Sequence, residues 1–327
     1  MKIKANVIGC GPWAQNHIRI LTNKNLLNGV YDLNEEISKD SAIQFGCKKL
    51  DKNDLLNQDK DKCLFILSSA KSHFQLLKQF IPYYKNIFVE KPVVENLKQF
   101  EEIEDLSNKY KSKIVVGHII NYHPVFQKLL NIVSSGDIGN IFSIKSIRHN
   151  FGRYRTQEDV IKSLSIHDLS INFQIAKKLE LKLKNFSVFG FDFIQENHFD
   201  EARIFLEFSN NVKSIISSSW TSPNKNHTLQ VIGSKGIIVF DDTINNFNNK
   251  LYIQFYQKIQ NDFTKTFRKF INIDNQIEPL ENEIEHTFNY FYGKTSSVLT
   301  PLKESHQILK VIDSFEGTNK NFVRVNL

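Results

Sequence analysis

"KANVIGCGPWAQNH" (residues 4–17) joins a short apolar run to Gly-Cys-Gly and then to a segment able to start a helix. Gly9, Gly11 and Ala14 stand in the spacing G-x-G-x-x-A. The first glycine permits a tight turn and the second removes a side chain where a pyrophosphate must approach. The small third residue lets the helix lie close on the strand. Pro12 and Trp13 lie within the same turn, so they join the candidate cofactor contacts. Asp32, in "GVYDLN", falls 21 residues beyond Gly11, at the expected end of a second strand. A carboxylate there accepts hydrogen bonds from an adenosine ribose and repels a 2′-phosphate, so the pattern favours NAD over NADP. The plainer reading is that the glycines only turn the chain and Asp32 is a solvated loop acid.

The surrounding pattern supports a ligand turn. Apolar runs recur as "LFILS" (64–68), "IFVE" (87–90) and "IVVG" (114–117), and Leu97, Phe100, Ile103 and Leu106 mark one helix face between two of them. Buried strands alternating with helices predict an α/β doubly wound parallel sheet over residues 1–119. Beyond residue 120 the runs crowd together and several alternate with period two: 142–149, 203–208, 212–219, 228–233, 236–240 and 251–256. That texture predicts an α+β domain over 120–327 with an open, mostly antiparallel or mixed sheet. Helical stretches near 124–135, 164–179 and 280–292 are expected to cover one of its faces.

Composition narrows the class. A chain of 327 residues with 41% apolar content can build two ordinary domains. No apolar stretch approaches the ~20 residues that span a bilayer, and no signal-peptide layout opens the chain, so the expected location is cytoplasmic. Cys10, Cys47 and Cys63 have neither disulfide-framework nor zinc-site spacing, which predicts reduced thiols and no metal. The net charge of +7 is scattered among acids rather than massed, which argues against nucleic acid as a partner.

"FVEKPVVEN" places Glu90, Lys91 and Pro92 just after a strand, at the sheet edge where open α/β folds bind ligands. A lysine there, beside a cationic nicotinamide ring, can exchange a proton with a substrate hydroxyl. By position alone Lys91 is equally an ordinary surface lysine.

The glycine turn, "EKP" (90–92), "GHIINYHP" (117–124), "GDIG" (136–139) and "HD" (167–168) occur in the order and approximate spacing of the Gfo/Idh/MocA oxidoreductases, and "GSKG" (233–236) extends the likeness through the chain. The resemblance implies a Rossmann domain followed by an α/β domain with an open sheet, assembled into homodimers or homotetramers through that sheet. It implies NAD-dependent hydride transfer to or from a carbinol carbon of a sugar or cyclitol. Carried over by residue, Lys91 and His167 are the catalytic pair at the reacting hydroxyl, with Ser68, His73, Glu90 and Lys91 itself also near the cofactor. His118, Tyr122, Ser163 and Asp168 are candidate substrate contacts. Two departures stand out: Ser163 replaces a common aspartate four residues before His167, and Ser68-Ser69 replaces Thr-Pro.

"RHNFGRYRTQEDVIKSLSIHDLSI" (148–171) is similar to the subgroup acting on nucleotide-linked sugars, notably UDP-N-acetylglucosamine 3-dehydrogenases. Arg153 and Arg155 offer forked guanidiniums suited to a diphosphate, and Tyr154 a ring to pack on sugar or base. Surface or inter-subunit ion pairs are the alternative for both arginines, and a structural role is the alternative for His167. For the whole chain, the leading expectation is oxidation at C3 of a UDP-linked N-acetyl sugar. The alternatives are a free sugar, cyclitol or other carbonyl substrate, and an NAD-bound regulator without catalysis.

Overall fold

A computed structural model describes residues 3–56, 62–152, 158–194, 196, 198–259, 262–315 and 322–326. The chain begins β1 (Lys4–Ile8), α1 (Pro12–Asn23), β2 (Leu27–Tyr31), α2 (Glu35–Phe45), β3 (Lys48–Lys49), α3 (Lys52–Leu56), β4 (Lys62–Ile66), α4 (Ala70–Phe80), β5 (Asn86–Glu90), α5 (Leu97–Tyr110) and β6 (Lys113–Gly117). It continues with α6 (Pro124–Ser135), β7 (Ile141–Phe151), α7 (Ile166–Lys178), β8 (Leu183–Phe191), β9 (Glu201–Phe208), β10 (Lys213–Ser219), β11 (Thr221–Gly233), β12 (Gly236–Asp241), β13 (Leu251–Ile259) and β14 (Asp262–Phe270). Then come α8 (Pro279–Phe291), α9 (Glu304–Asp313) and β15 (Phe322–Asn326).

Two compact units result, one of residues 1–122 with 278–310 and the other of 123–277 with 311–327. The first holds a six-stranded, wholly parallel sheet in the order β3-β2-β1-β4-β5-β6. The strand order reverses between β1 and β4, which is the switch point of a Rossmann sheet and opens a crevice at the strands' carboxyl ends. Strands β1, β4 and β5 are almost completely buried, as their unbroken apolar runs require.

The segment 280–292 does not cover the second sheet. It forms α8 of the first unit, because Leu280, Ile284, Phe288 and Phe291 extend the core built by Val7, Leu21, Phe65 and Phe88. Phe288 stacks on Phe65 with centroids 5.8 Å apart, and the Arg19 guanidinium donates to both oxygens of Glu278 at 2.8 and 2.9 Å. The first unit therefore takes its last elements from a stretch assigned by pattern to 120–327, and its first boundary falls after Tyr122 rather than at 119.

The second unit carries a nine-stranded mixed sheet in the order β14-β13-β12-β11-β7-β10-β9-β8-β15, in which only β7 and β10 pair in parallel. Helices α6 and α7 pack on one face, against β12, β7 and β10, where Ile144, Ile204, Ile216, Leu229 and Val231 are buried. Two of the short motifs meet each other here. Lys235 N donates to Ile138 O at 2.9 Å and Asn140 N to Ser234 Oγ at 3.1 Å, locking "GDIG" onto "GSKG". A Cβ on Gly233 would lie 2.2 Å from the Ile138 carbonyl oxygen, so this junction requires glycine.

Candidate active site

The opening glycine turn is built as the spacing predicts. Gly9 follows β1 with φ of +95°, and its missing Cβ would sit 2.6–2.8 Å from the backbone of Leu67 and Ser68. The β1 and β4 loops thus touch through a position only glycine can fill. Gly11 is the N-cap of α1, with Pro12 as its first residue and no side chain capping the helix. A Cβ on Gly11 meets nothing within 4 Å. The helix start is exposed at Pro12 and Trp13, and Ala14 is buried against the sheet. Asp32 lies beside this turn at the end of β2, accepting from Cys10 N at 2.8 Å and from Asn34 N at 2.9 Å. Glycine cradle, uncapped helix start and adjacent carboxylate fit the diphosphate and ribose of NAD. Cys10 and Cys63 are buried, and burial pushes both thiols up, Cys10 to about 12.

Lys91 follows β5 at the same sheet edge and is half-buried. Its neighbour Glu90 turns inward. The Glu90 carboxylate accepts from Trp13 Nε1 at 2.9 Å, His17 Nε2 at 2.8 Å and Lys91 N at 3.2 Å. Burial opposes its ionised form, but the His17 and Trp13 hydrogen bonds and the Lys91 charge outweigh that and hold its carboxyl below the usual range. Glu90 is thus a buried anchor tying α1 to the end of β5, not a surface cofactor contact. The ring of Trp13 itself remains 46% exposed at the head of α1.

His73 is almost completely buried, with Nδ1 2.8 Å from Pro92 O and Nε2 3.1 Å from Ser68 O. Whichever nitrogen carries the proton, it donates to the chain itself, so His73 joins the Ser68 and Pro92 loops. Ser68 Oγ is 2.7 Å from Ser72 Oγ across the first turn of α4. Tyr122 is fully buried, its hydroxyl 2.9 Å from Thr300 Oγ1 and its carbonyl accepting from Asn282 Nδ2 at 2.7 Å. It is a core residue of the first unit rather than a substrate contact.

His118 follows β6 and is also buried, its Nδ1 without a partner among the described residues. Burial pushes its imidazole down to about 4, with the Glu90 charge opposing and the Lys91 charge adding to the effect. The folded chain then binds this proton less readily than the unfolded chain, whose histidine titrates near ~6.5. The stabilisation is complete above that pH and is lost as pH falls toward 4, up to ~3 kcal/mol for one site. His118→Gln should therefore flatten the loss of unfolding free energy between pH 7 and pH 4.5 in urea titrations. An unchanged slope would place the acid sensitivity elsewhere.

In the second unit, His167 stands in the first turn of α7 and is half-buried. Its neighbour Asp168 points into the protein, accepting from Arg148 Nε of β7 at 2.7 Å. Burial pushes the Asp168 carboxyl up despite Arg148. One turn on, Asn172 donates to Ser146 Oγ at 2.9 Å and accepts from Ser214 Oγ at 2.6 Å, and Ser165 Oγ donates to Ser218 Oγ at 2.8 Å. Asp168 and Asn172 mark the inner face of α7, which fixes the rotation of the helix and keeps His167 off that face. Asp168 is buried and paired with Arg148. Ser163 is buried in the π-turn 161–165 ahead of α7. Arg153, Tyr154 and Arg155 lie outside the described residues.

Sequence reasoning missed His17, Arg148, Asn172 and Glu283. The i, i+3 relation of Ala14 to His17 was a signal for the first, since both face the sheet from α1. Among the described residues no group of three His, Cys, Asp or Glu side chains could hold a metal ion, and no helix is long and apolar enough to cross a membrane.

Comparison with known proteins agrees with this arrangement. Residues 3–118 match the oxidoreductase family with an NAD-binding Rossmann fold, and residues 126–239 match the GFO/IDH/MocA C-terminal domain. The uncharacterised oxidoreductase YrbE of Bacillus subtilis is 25% identical over 254 residues, covering 74% of each chain. The solved UDP-N-acetylglucosamine 3-dehydrogenase GnnA from Acidithiobacillus ferrooxidans superposes with a TM-score of 0.81 at 18% identity, covering 95% of this chain and 96% of its own. An inositol dehydrogenase homologue from Azotobacter vinelandii, solved with NAD+, gives a TM-score of 0.81 at 13% identity over 100% of this chain and 98% of its own. At those identities the two structures establish the fold alone.

Proposed function

Because the chain belongs to the Gfo/Idh/MocA family of NAD-binding oxidoreductases, we propose that it oxidises a sugar ring hydroxyl to a ketone, with C3 of a UDP-linked N-acetyl sugar as the reacting centre. The observation that carries the reading is the Trp13–Glu90 hydrogen bond, which ties the head of the glycine-turn helix to the residue before Lys91. That link supports reading Lys91 as the group at the edge of the cofactor cradle that receives the alcohol proton.

NAD, when bound, supplies the hydride acceptor. Gly9, Gly11 and the first amides of α1 would hold its diphosphate, and Asp32 its adenosine ribose. Lys91 Nζ takes the hydroxyl proton during oxidation and returns it during reduction. By the family resemblance, His167 is the candidate in the second unit for holding a substrate hydroxyl through a ring nitrogen. Ser163 cannot supply the negative charge of an aspartate, so His167 acts as an orienting hydrogen-bond partner more than as a strong base. The basic segment at 153–155 supports a nucleotide-linked substrate, as does the UDP-sugar named for the similar Acidithiobacillus enzyme.

The second sheet supports assembly with another copy of the chain. The face away from α6 and α7 carries Ile147, Ile215, Ile232 and Ile237 and exposed Phe191 and Phe205 among polar side chains such as Lys145 and Gln230, a mixed surface compatible with a homodimer or homotetramer.

The test incubates purified protein with NAD and a panel of UDP-linked and free sugars, following NADH absorbance and products by mass spectrometry. A 3-keto product from one UDP-N-acetyl sugar is the expected outcome, and light scattering should return a multiple of the chain mass. Turnover of free sugars or cyclitols alone would overturn the nucleotide-sugar assignment, and silence throughout would favour a regulator.

A further inference from the structure

Glu283 of α8 is a fully buried carboxyl group whose two oxygens have no side-chain partner among the described residues. An isolated buried carboxylate is costly, so the site calls for a neutral acid or a compensating charge. Helix α8 packs on β6 and on the turn 119–122 that follows it, which brings Glu283 to the strand beside Glu90, a like charge that acts on it. Gly117, paired with Glu90 across β5 and β6, leaves the space that the Glu90 carboxylate fills. A Cβ there would lie 3.0 Å from Glu90 Oε1.

We propose that Glu90 and Glu283 form a buried acid pair holding one charge and one proton beneath Lys91, with Glu283 the residue that positions Lys91 through Glu90. The charge rests on Glu90, because His17, Trp13 and the Lys91 amide all donate to it. The proton rests on Glu283, where burial, joined by the Glu90 charge, pushes the carboxyl well above its usual range against a weaker pull from the His118 backbone. Two carboxyl groups in one dry site share a proton rather than ionise together.

The groups facing this pair come from every element around it. They are His17 from α1, Glu90 and Lys91 from β5 and the turn after it, His118 after β6, and Tyr122 from the turn packed on α8. His73 of α4 is reached by the Glu90 and Lys91 charges. Loss of the Glu283 proton to solvent takes the pair from one negative charge to two. A dianion beside Lys91 favours its ammonium form and so depletes the neutral amine that accepts the hydroxyl proton. Oxidation accordingly declines at alkaline pH by an ionisation belonging to the pair.

This inference rests on Lys91 as the acid-base group, so the test includes a signal that does not. Trp13 donates to Glu90, and Trp220 is the other tryptophan of the chain. In a Trp220→Phe background, Trp13 fluorescence should show a pH step above the ordinary carboxylate range. Glu283→Gln should abolish that step and move the alkaline decline of kcat upward by about one pH unit or more. Glu90→Gln, which removes the like charge, should shift the step to lower pH. A fluorescence titration identical in both variants and the parent would overturn the pair, since loss of packing alone does not remove a titration. Should Glu283→Gln fail to fold, the Glu90→Gln shift decides by itself: no shift sinks the proposal. If the fluorescence step behaves as stated while Lys91→Ala keeps full turnover, the pair stands and the assignment of Lys91 fails.

Discussion

Lys91→Ala is expected to lose about 10²–10⁴-fold in kcat for sugar oxidation, the usual contribution of one positioned acid-base group, while NAD titrations give an unchanged affinity. The asymmetry follows from where the functions sit. The candidate cofactor cradle is the Gly9–Gly11 turn, the head of α1 and Asp32, built from backbone and one carboxylate rather than from a lysine. The backbone amide of Lys91, which donates to Glu90 at 3.2 Å, survives the substitution. Trp13 and His17 therefore keep their partner, and the crevice keeps its shape. Lys91→Arg is a sharper probe, because it preserves charge and removes a group able to lose a proton in the working range. If either variant turned over at the parental rate, proton transfer would have to be reassigned, with His167 the next group to examine.

The second large effect separates folding from binding within one turn. Gly9→Ala forces a Cβ into the Leu67–Ser68 backbone at 2.6–2.8 Å in a residue whose φ is +95°. Strain and steric displacement together should lower unfolding free energy by about 2–5 kcal/mol, read from urea midpoints at constant m. Gly11→Ala meets nothing within 4 Å and has an ordinary φ of −64°. Its stability should stay within about 0.5 kcal/mol of the parent. Its NAD affinity should nevertheless fall, because the new methyl group occupies the space facing the uncapped helix start. Equal NAD affinity in Gly11→Ala and the parent would mean that the diphosphate is held elsewhere.

Much of this site was legible because its signals are local. A glycine that must adopt positive φ, a proline at the start of a helix and an acid at the end of a strand are properties of a few adjacent residues. The strands β1, β4, β5 and β6 could be read from apolar runs for the same reason. What escaped was the assignment of partners. The pattern at 280–292 announces an amphipathic helix but not the sheet it serves, and the packing of Phe288 on Phe65 decided that. Strand β8 opens with Lys184 and Asn185 ahead of its inward residues, and β15 is short and lies at the sheet edge, so neither stood out. Buried charge is illegible by nature: Asp168, Glu90 and Glu283 look in sequence like surface acids, and only Arg148, His17 and the closure of α8 reveal otherwise.

The return of residues 278–310 to the first unit sets the order in which the protein is completed during synthesis. The stretch 123–277 is contiguous and supplies every strand of its sheet except β15, so it can condense soon after emerging from the ribosome. The amino-terminal sheet emerges earlier and finishes later. Until α8 arrives, Phe65 and its neighbours lack their covering helix, leaving apolar surface open to holding chaperones. The first domain translated therefore cannot close until residues 278–310 have been made, and its contacts of greatest sequence separation form late.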